Sequence, residues 1–477
     1  MTDVPMSSTS TARQLPINLF TRSTSHAIPQ STYFIPSDWR RFQLSELINK
    51  VLGNGNEGGA PVPFDFVVEG EVLRGSLENW VKRNRGADEE STINVEYIQS
   101  LLPPQHVSSF PQEDWVSGLS LSRPGTILVS SYLSHLRVLP NSSSTASTIT
   151  LPLPLSLGAT CCRWISPNET TSDILLAAGG VDRQTHVFSL GSLDDPASGK
   201  ELYTLHGHTG PISSVISSAS GREIITSSWD STINLYVLPD AEPTEHQLPA
   251  EPLSYLPGQG NKKKRKIESE KEKLPIEGLT DGDATGTGGW RRTPELTMKG
   301  HKARVGGLVW DKQNKETIWS GGWDGSVRGW DWESGSGVVV RQGPMDKSIL
   351  CIDQFSSSAV LATGSMDRTI SLWDTRDATS LISQTLATGS PIGSLKCHPT
   401  SAFTLASTTY SGLVQIWDIR SPKNPLFSVS KANDIREKVT KNGKVLGERL
   451  LAGDWDGELL VAGGEDGDVG VWRGRGE

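Results

Sequence analysis

Two histidine–aspartate couples, His208 with Asp230 and His301 with Asp324, are the first residues in this chain of 477 whose types could do chemistry. An imidazole beside a carboxylate can activate a nucleophile or move a proton. The members of the couples lie 22 and 23 residues apart in matching surroundings. A pair that recurs with a regular period reads as structural, because a catalytic pair occurs once per site. Three consecutive acids, Asp88, Glu89 and Glu90, could offer a carboxylate oxygen to a divalent cation. Five consecutive bases, Lys262, Lys263, Lys264, Arg265 and Lys266, form a local reversal of sign in a chain of net charge -9. No phosphate-binding glycine loop, Gly-x-Ser-x-Gly elbow or metal-spaced histidine cluster accompanies them, so the chain reads as non-enzymatic with no cofactor of its own.

The elements that must position these residues emerge from a repeat. GGVDRQTHVF, SSWDSTINLY, GGWDGSVRGW, GSMDRTISLW, STTYSGLVQIW and GGEDGDVGVW each end in an aromatic residue. Asp182, Asp230, Asp324, Asp367 and Asp466 stand six residues before that aromatic, with Ser411 in the equivalent place of the remaining copy. A weaker copy, SSYLSHLRVL, puts Leu133 there, so seven copies are visible. Successive turn positions are 49, 48, 94, 43, 44 and 55 residues apart, a propeller-blade period broken by two insertions. Each copy reads as strand, tight turn, strand: Gly or Ser lets the backbone bend, the carboxylate caps nearby N–H groups, and the apolar residues that follow alternate. With 48 glycines and 15 tryptophans, the composition leans mainly β.

These residues resemble the WD-repeat family, with Gly207-His208 and Gly300-His301 opening units and Trp330-Asp331, Trp373-Asp374 and Trp417-Asp418 closing them. The resemblance implies that each histidine bonds its turn aspartate inside a blade, beside Ser227 or Thr226 in one unit and Ser320 in the other. The last unit stops at Trp472, so its outermost strand must come from upstream, and the segment near Gln105 to Pro111 is placed to close the ring. The propeller is therefore expected over 113–477, after a linker and ring-closing strand over 101–112. An insertion at about 239–295, rich in Pro, Gly, Glu and Lys, reads as an exposed disordered loop, and a shorter charged one spans about 428–446. Lys262–Lys266 sit in the first of these. A nuclear-localisation signal is the leading reading, against a solvated charge run or an RNA patch.

Residues 1–100 carry a different pattern. RQLPINLF alternates, Ile28 to Ile35 suits a second strand, and Phe42 to Leu52 has helical spacing. PFDFVVEGEVL, a short SLENWVKR helix and a last strand INVEYI follow. This order is that of an α+β ubiquitin-like grasp, and the chain runs from it straight into LLPPQ without a Gly-Gly tail. The four cysteines, Cys161, Cys162, Cys351 and Cys397, show no C-x-x-C spacing and are expected as buried thiols of a reducing compartment. The absence of a signal-like or membrane-length apolar run reads as soluble and intracellular, and the acidic balance limits any RNA contact to a local one.

Over nearly its whole length the chain resembles the family of WD-repeat subunits of the large-ribosomal-subunit assembly complex that also contains pescadillo and the block-of-proliferation protein. PVPFDFVVEGEVLRGSL, NVEYIQSLLPPQ, EDWVSGL and the count of seven units carry the likeness. It implies a factor for 60S maturation and rRNA processing in the nucleus, nucleolus and nucleoplasm, with indirect RNA contact, no membrane and no small-molecule substrate. It also implies that the propeller binds the block-of-proliferation protein and that the ubiquitin-like domain docks on the AAA ATPase midasin. Glu90 would then complete the coordination of the magnesium ion of midasin's adhesion site, with Asp88 or Glu89 as alternatives, against the plainer reading of a solvated loop acid. On the propeller, the residues just before the turn positions include Val181, Trp229, Trp323, Met366, Tyr410 and Glu465. Trp229, Trp323, Met366 and Tyr410 could anchor a partner, or the two tryptophans could simply shield the His–Asp pairs. A rival class is a substrate adaptor of a ubiquitin ligase. A third reading, the notchless-type assembly factor, requires an eighth blade.

Overall fold

The computed structural model describes residues 13–22, 26–29, 31–53, 61–84, 92–100, 102–123, 125–133, 135–140, 148–153, 158–165, 174–191, 199–238, 290–343, 347–376, 382–431, 440–441, 444–445 and 449–474. Glu90 with Asp88 and Glu89, and Lys262–Lys266, lie outside the described residues.

The N-terminal domain begins with β1 (Gln14–Phe20), whose Leu15, Ile17 and Leu19 point into a core while the alternate residues stay more open. It forms a hairpin with β2 (Thr32–Pro36). The strand expected from Ile28 begins later because Pro29 has no N–H to donate and the Ile28 N–H is taken by the Tyr97 hydroxyl at 3.0 Å. Helix α1 (Arg41–Leu52) turns Leu44 and Ile48 inward and ends at Gly53, whose φ of 76° suits a glycine C-cap. After it come β3 (Phe64–Val68), β4 (Glu71–Val72), α2 (Leu77–Asn84) and β5 (Ile93–Gln99). The sheet order is β2-β1-β5-β3-β4, with β5 parallel to β1, as a β-grasp requires. Phe64, Phe66, Trp80 and Tyr97 fill its core.

Among the described residues that follow, the sheets build seven blades. Within blades one to six the strands run from the axis outwards in chain order, and each blade packs its apolar face on the next. Val116, Ile127 and Val129 of blade one, for example, share a cluster with Val461, Val469 and Val471 of blade seven. The three largest fully buried side chains, Trp373, Trp417 and Trp472, each occupy the recurring aromatic position, and burying one such ring stabilises by about 3 kcal/mol. In blade seven the outermost strand is β6 (Gln105–Pro111), antiparallel to Asp468–Arg473. Since β6 directly follows the N-terminal domain, the ring is clasped where the two domains meet.

Two insertions are narrower than the sequence suggested. Trp290–Arg292 pairs in parallel with Gly199–Leu205 and adds a fifth strand to blade two, because Trp290 covers the apolar cluster around Tyr203 and Leu205. Ser428 to Ser430 belong to the outer strand of blade six, Phe427–Ser430, which Leu413–Asp418 needs as its edge partner. Further on, Thr440–Lys441 and Lys444–Val445 pair as a short hairpin.

Candidate functional site

Each turn aspartate is held twice. Its Oδ1 accepts the N–H two residues on, from Thr232 to Asp230 at 2.9 Å and from Ser326 to Asp324 at 3.1 Å, which locks the turn. The residue between adopts a left-handed backbone: Gly325, Gly412 and Gly467 do so freely, while Arg183, Ser231 and Arg368 do so with φ of 73°, 67° and 68°. In blade four the chain of bonds is complete. Trp330 Nε1 donates to Ser320 Oγ at 2.8 Å, Ser320 Oγ lies 2.8 Å from His301 Nε2, and His301 Nδ1 donates to Asp324 at 3.1 Å. In blade three His208 Nδ1 meets Asp230 at 3.1 Å and its Nε2 meets Thr226, not Ser227, at 2.8 Å. Burial alone would raise both carboxyls, but the histidine bonds and the surrounding N–H and hydroxyl donors hold them well below the ordinary range. Neither couple has a free face for a substrate: their polar atoms are consumed inside the blade.

Other blades solve the same problem with residues that a Gly-His search misses. Lys347 reaches Asp367 at 3.1 Å and Lys431 reaches Asp466 at 2.9 Å. In blade two the imidazole comes from the strand beyond the turn: His186 sits between Asp182 at 3.1 Å and Glu201 at 2.7 Å. Burial opposes its charge, yet the two carboxylates raise it to about 9. Where Ser411 replaces the aspartate, the Thr409 hydroxyl accepts the Leu413 N–H at 3.3 Å.

The residue before each turn position lines the propeller mouth, and the backbone shows why. Its N–H donates to the carbonyl of the residue preceding the innermost strand in all seven blades: Tyr132 to Trp115, Val181 to Gly158, Trp229 to Pro211, Trp323 to Arg304, Met366 to Ser348, Tyr410 to Pro391 and Glu465 to Arg449. Seven such pairs therefore ring one end of the central channel. Trp229 is 48% and Met366 45% exposed, with Trp115 and Tyr132 also open and edge-to-face at 6.3 Å. Trp323 and Tyr410 are half-buried. The tryptophans Trp229 and Trp323 hold Arg304 between them, its Cζ 4.2 Å from each ring centroid.

A second constellation joins the domains. Glu96 on β5 is buried against Arg22 at 3.3 Å and Arg420 of blade six at 3.8 Å. Arg420 also grips Asp418, its Nη2 lying 2.6 Å from the carboxylate, and stacks on Phe403 at 4.4 Å. Burial outweighs the two arginines and raises the Glu96 carboxyl above the usual range. Alongside, Arg74 donates to the Pro425 and Leu426 carbonyls at 3.0 and 3.2 Å, and Lys423 faces Glu71 at 3.8 Å. A cleft of about 520 Å³ remains between Arg74, Asn79, Arg83, Asn424 and Ser428.

Among the described residues no group of three or more His, Cys, Asp and Glu is placed to hold a metal ion, and no helix is long and apolar enough to cross a membrane. Cys162 and Cys397 are buried, whereas Cys161 and Cys351 are half-buried; burial pushes the thiols of Cys161 and Cys351 up to about 11 and about 12. These are packing residues rather than nucleophiles.

A β-grasp domain joined to a ring of blades, one of them carrying a complete Trp–Ser–His–Asp chain, defines a WD-repeat propeller with an N-terminal ubiquitin-like domain. Family models agree, the NLE (NUC135) domain matching residues 15–81 and the WD domain, G-beta repeat matching 199–236, 292–331 and 337–374. Across most of its length the chain is similar to Ribosome biogenesis protein YTM1 of Coprinopsis cinerea, 34% identical over 425 residues that cover 88% of this chain and 89% of that protein. YTM1 of Laccaria bicolor is 32% identical, with 92% and 90% covered, and the WDR12 homolog of Chlamydomonas reinhardtii is 30% identical, with 88% and 90% covered. The chain belongs to this YTM1/WDR12 family of ribosome biogenesis proteins.

Proposed function

We propose that the chain is a non-enzymatic assembly factor for the large ribosomal subunit and its rRNA maturation, acting in the nucleolus and nucleoplasm. Its propeller holds the block-of-proliferation protein and, through that protein, pescadillo. The N-terminal domain docks on midasin, whose magnesium ion takes the Glu90 carboxylate as its last ligand, and ATP hydrolysis by midasin then removes the complex from the pre-ribosome. The observation that carries this reading is the similarity of both domains together, over about nine-tenths of the chain, to proteins named for ribosome biogenesis.

The domain junction suits the task. A pull on the N-terminal domain passes through the buried Glu96–Arg420–Asp418 chain and through β6 into blades six and seven, so force reaches the ring without relying on a slack linker. Glu90 precedes β5, the strand that carries Glu96. A hard divalent ion with an open position takes a carboxylate oxygen readily.

The test is capture of midasin's adhesion-site domain by the full chain, with magnesium, with chelator, and with Glu90→Ala. Binding that needs magnesium and fails with Glu90→Ala supports the reading. Binding that survives both changes contradicts metal-mediated docking, and no binding by the wild type removes midasin as the partner.

A further inference from the structure

Among the cations around the propeller mouth, Arg304 stands apart. Lys347 is matched by Asp367 at 3.1 Å and Arg449 by Glu465 at 3.5 Å. Arg304 pairs with no carboxylate among the described residues, and its Nε is enclosed without a hydrogen-bond partner, as is the Nε1 of Trp323 beside it. Its nearby titratable neighbours are the phenols Tyr132 and Tyr410, which carry no charge near neutral pH. The rim aspartates cannot answer it, because Asp230 is bound by His208 and the Thr209 N–H, and Asp324 by His301 and the Lys302 N–H.

Geometry narrows what could. With an indole at 4.2 Å on both faces, the guanidinium can offer donors only in its own plane, the direction in which a carboxylate accepts two parallel bonds. The surrounding surface is apolar and open: Trp229, Met366, Trp115 and Tyr132 are between 39% and 48% exposed. One uncompensated cation inside such a wall fits an acidic side chain with apolar neighbours. A nucleic-acid strand would bring a phosphate every step, whereas among the described residues Arg304 is the cation that the aromatic wall encloses without a carboxylate.

We infer that the propeller mouth is a carboxylate-reading peptide site. An Asp or Glu side chain of a partner protein enters it and takes a paired bond from Arg304, while flanking apolar residues of the same segment pack on Trp229, Trp323 and Met366. The site rests on the reading of the propeller as a partner-holding domain and specifies the chemistry that this partner must present. It does not involve Glu90 or the N-terminal domain, so failure here and failure of midasin docking are separate results.

The experiment uses the full chain and three fluorescein-labelled probes measured by anisotropy. Two are libraries of short peptides with random apolar flanks whose central residue is fixed as Glu in one and Gln in the other, and the third is a single-stranded oligouridine. The Glu library should bind about tenfold or more tighter than the Gln library, the margin of one charge-assisted bond. Arg304→Met, which keeps a side chain between the indoles, should erase that preference, Arg304→Lys should keep part of it, and Trp229→Ala should weaken both libraries; thermal melts verify folding. Equal binding of the two libraries, a preference that survives Arg304→Met, tighter binding of oligouridine than of the Glu library, or no peptide binding up to millimolar concentration would each overturn the inference.

Discussion

Substituting Arg420 with alanine should release the N-terminal domain from the propeller. The side chain of Arg420 is 11% exposed, that of Glu96 6% and that of Asp418 2%, so its removal strands two carboxylates where water screens little. Arg22 remains beside Glu96 at 3.3 Å but is 54% exposed, and its help is correspondingly screened. Breaking one side of a buried ion pair costs about 3 kcal/mol or more, and the share that falls on Glu96 lowers the ratio of docked to undocked domain, because Asp418 lies in the same blade as Arg420. Glu96→Gln should cost far less, under about 1 kcal/mol, because it removes a carboxylate that burial already penalises and leaves Arg420 its bonds to Asp418. Spin labels on Lys50→Cys and Glu333→Cys report the geometry: a single narrow distance in the wild type and in Glu96→Gln, a broad distribution in Arg420→Ala. A distribution in Arg420→Ala as narrow as that of the wild type would refute the idea that these charges hold the domains together.

Three further outcomes follow from the blades. The charge on His186, raised from 6.5 to about 9, contributes stability that is present in full below about pH 6.5 and is lost as pH rises through about 9; the shift corresponds to something on the order of 3 kcal/mol. The urea-midpoint gap between wild type and His186→Gln should therefore shrink from pH 6.5 to 9.5, and a gap that stays constant contradicts the assignment. Arg368→Gly should stabilise by about 0.5–1 kcal/mol in thermal denaturation, because glycine adopts the φ of 68° without its Cβ strain, and a loss of stability would count against it. His301→Leu, which orphans Asp324 and Ser320 together, should cost about 2–4 kcal/mol by urea titration; a cost under about 1 kcal/mol would mean that the chain of bonds is ornamental.

What the sequence disclosed, and what it hid, follows from chain distance. Turn aspartates and recurring aromatics are local, so period, blade count and the His–Asp couples could be read directly, and the missing last strand pointed to Gln105–Pro111 by simple accounting. Lys431 was obscured because an insertion displaces it to 35 residues before Asp466, compared with 22 for His208 and Asp230. His186 was hidden by position, since it follows its aspartate instead of preceding it. The Trp229–Arg304–Trp323 stack draws on two blades and the Glu96–Arg420 contact on two domains; neither leaves a spacing signal. The two insertions read too wide in the sequence because Trp290 follows a glycine-rich run and Val429 stands between serines ahead of a charged one, and only the apolar neighbours they cover identify them as strand residues.

The most direct measurement is to purify the tagged full chain from cells and sediment it, comparing wild type with Glu90→Ala. An assembly factor that midasin removes should co-sediment with precursor large-subunit rRNA, together with the block-of-proliferation protein and pescadillo, and the Glu90→Ala chain should accumulate on those particles. A chain that sediments free of precursor rRNA in both forms, or that instead co-purifies with cullin components, would contradict that role.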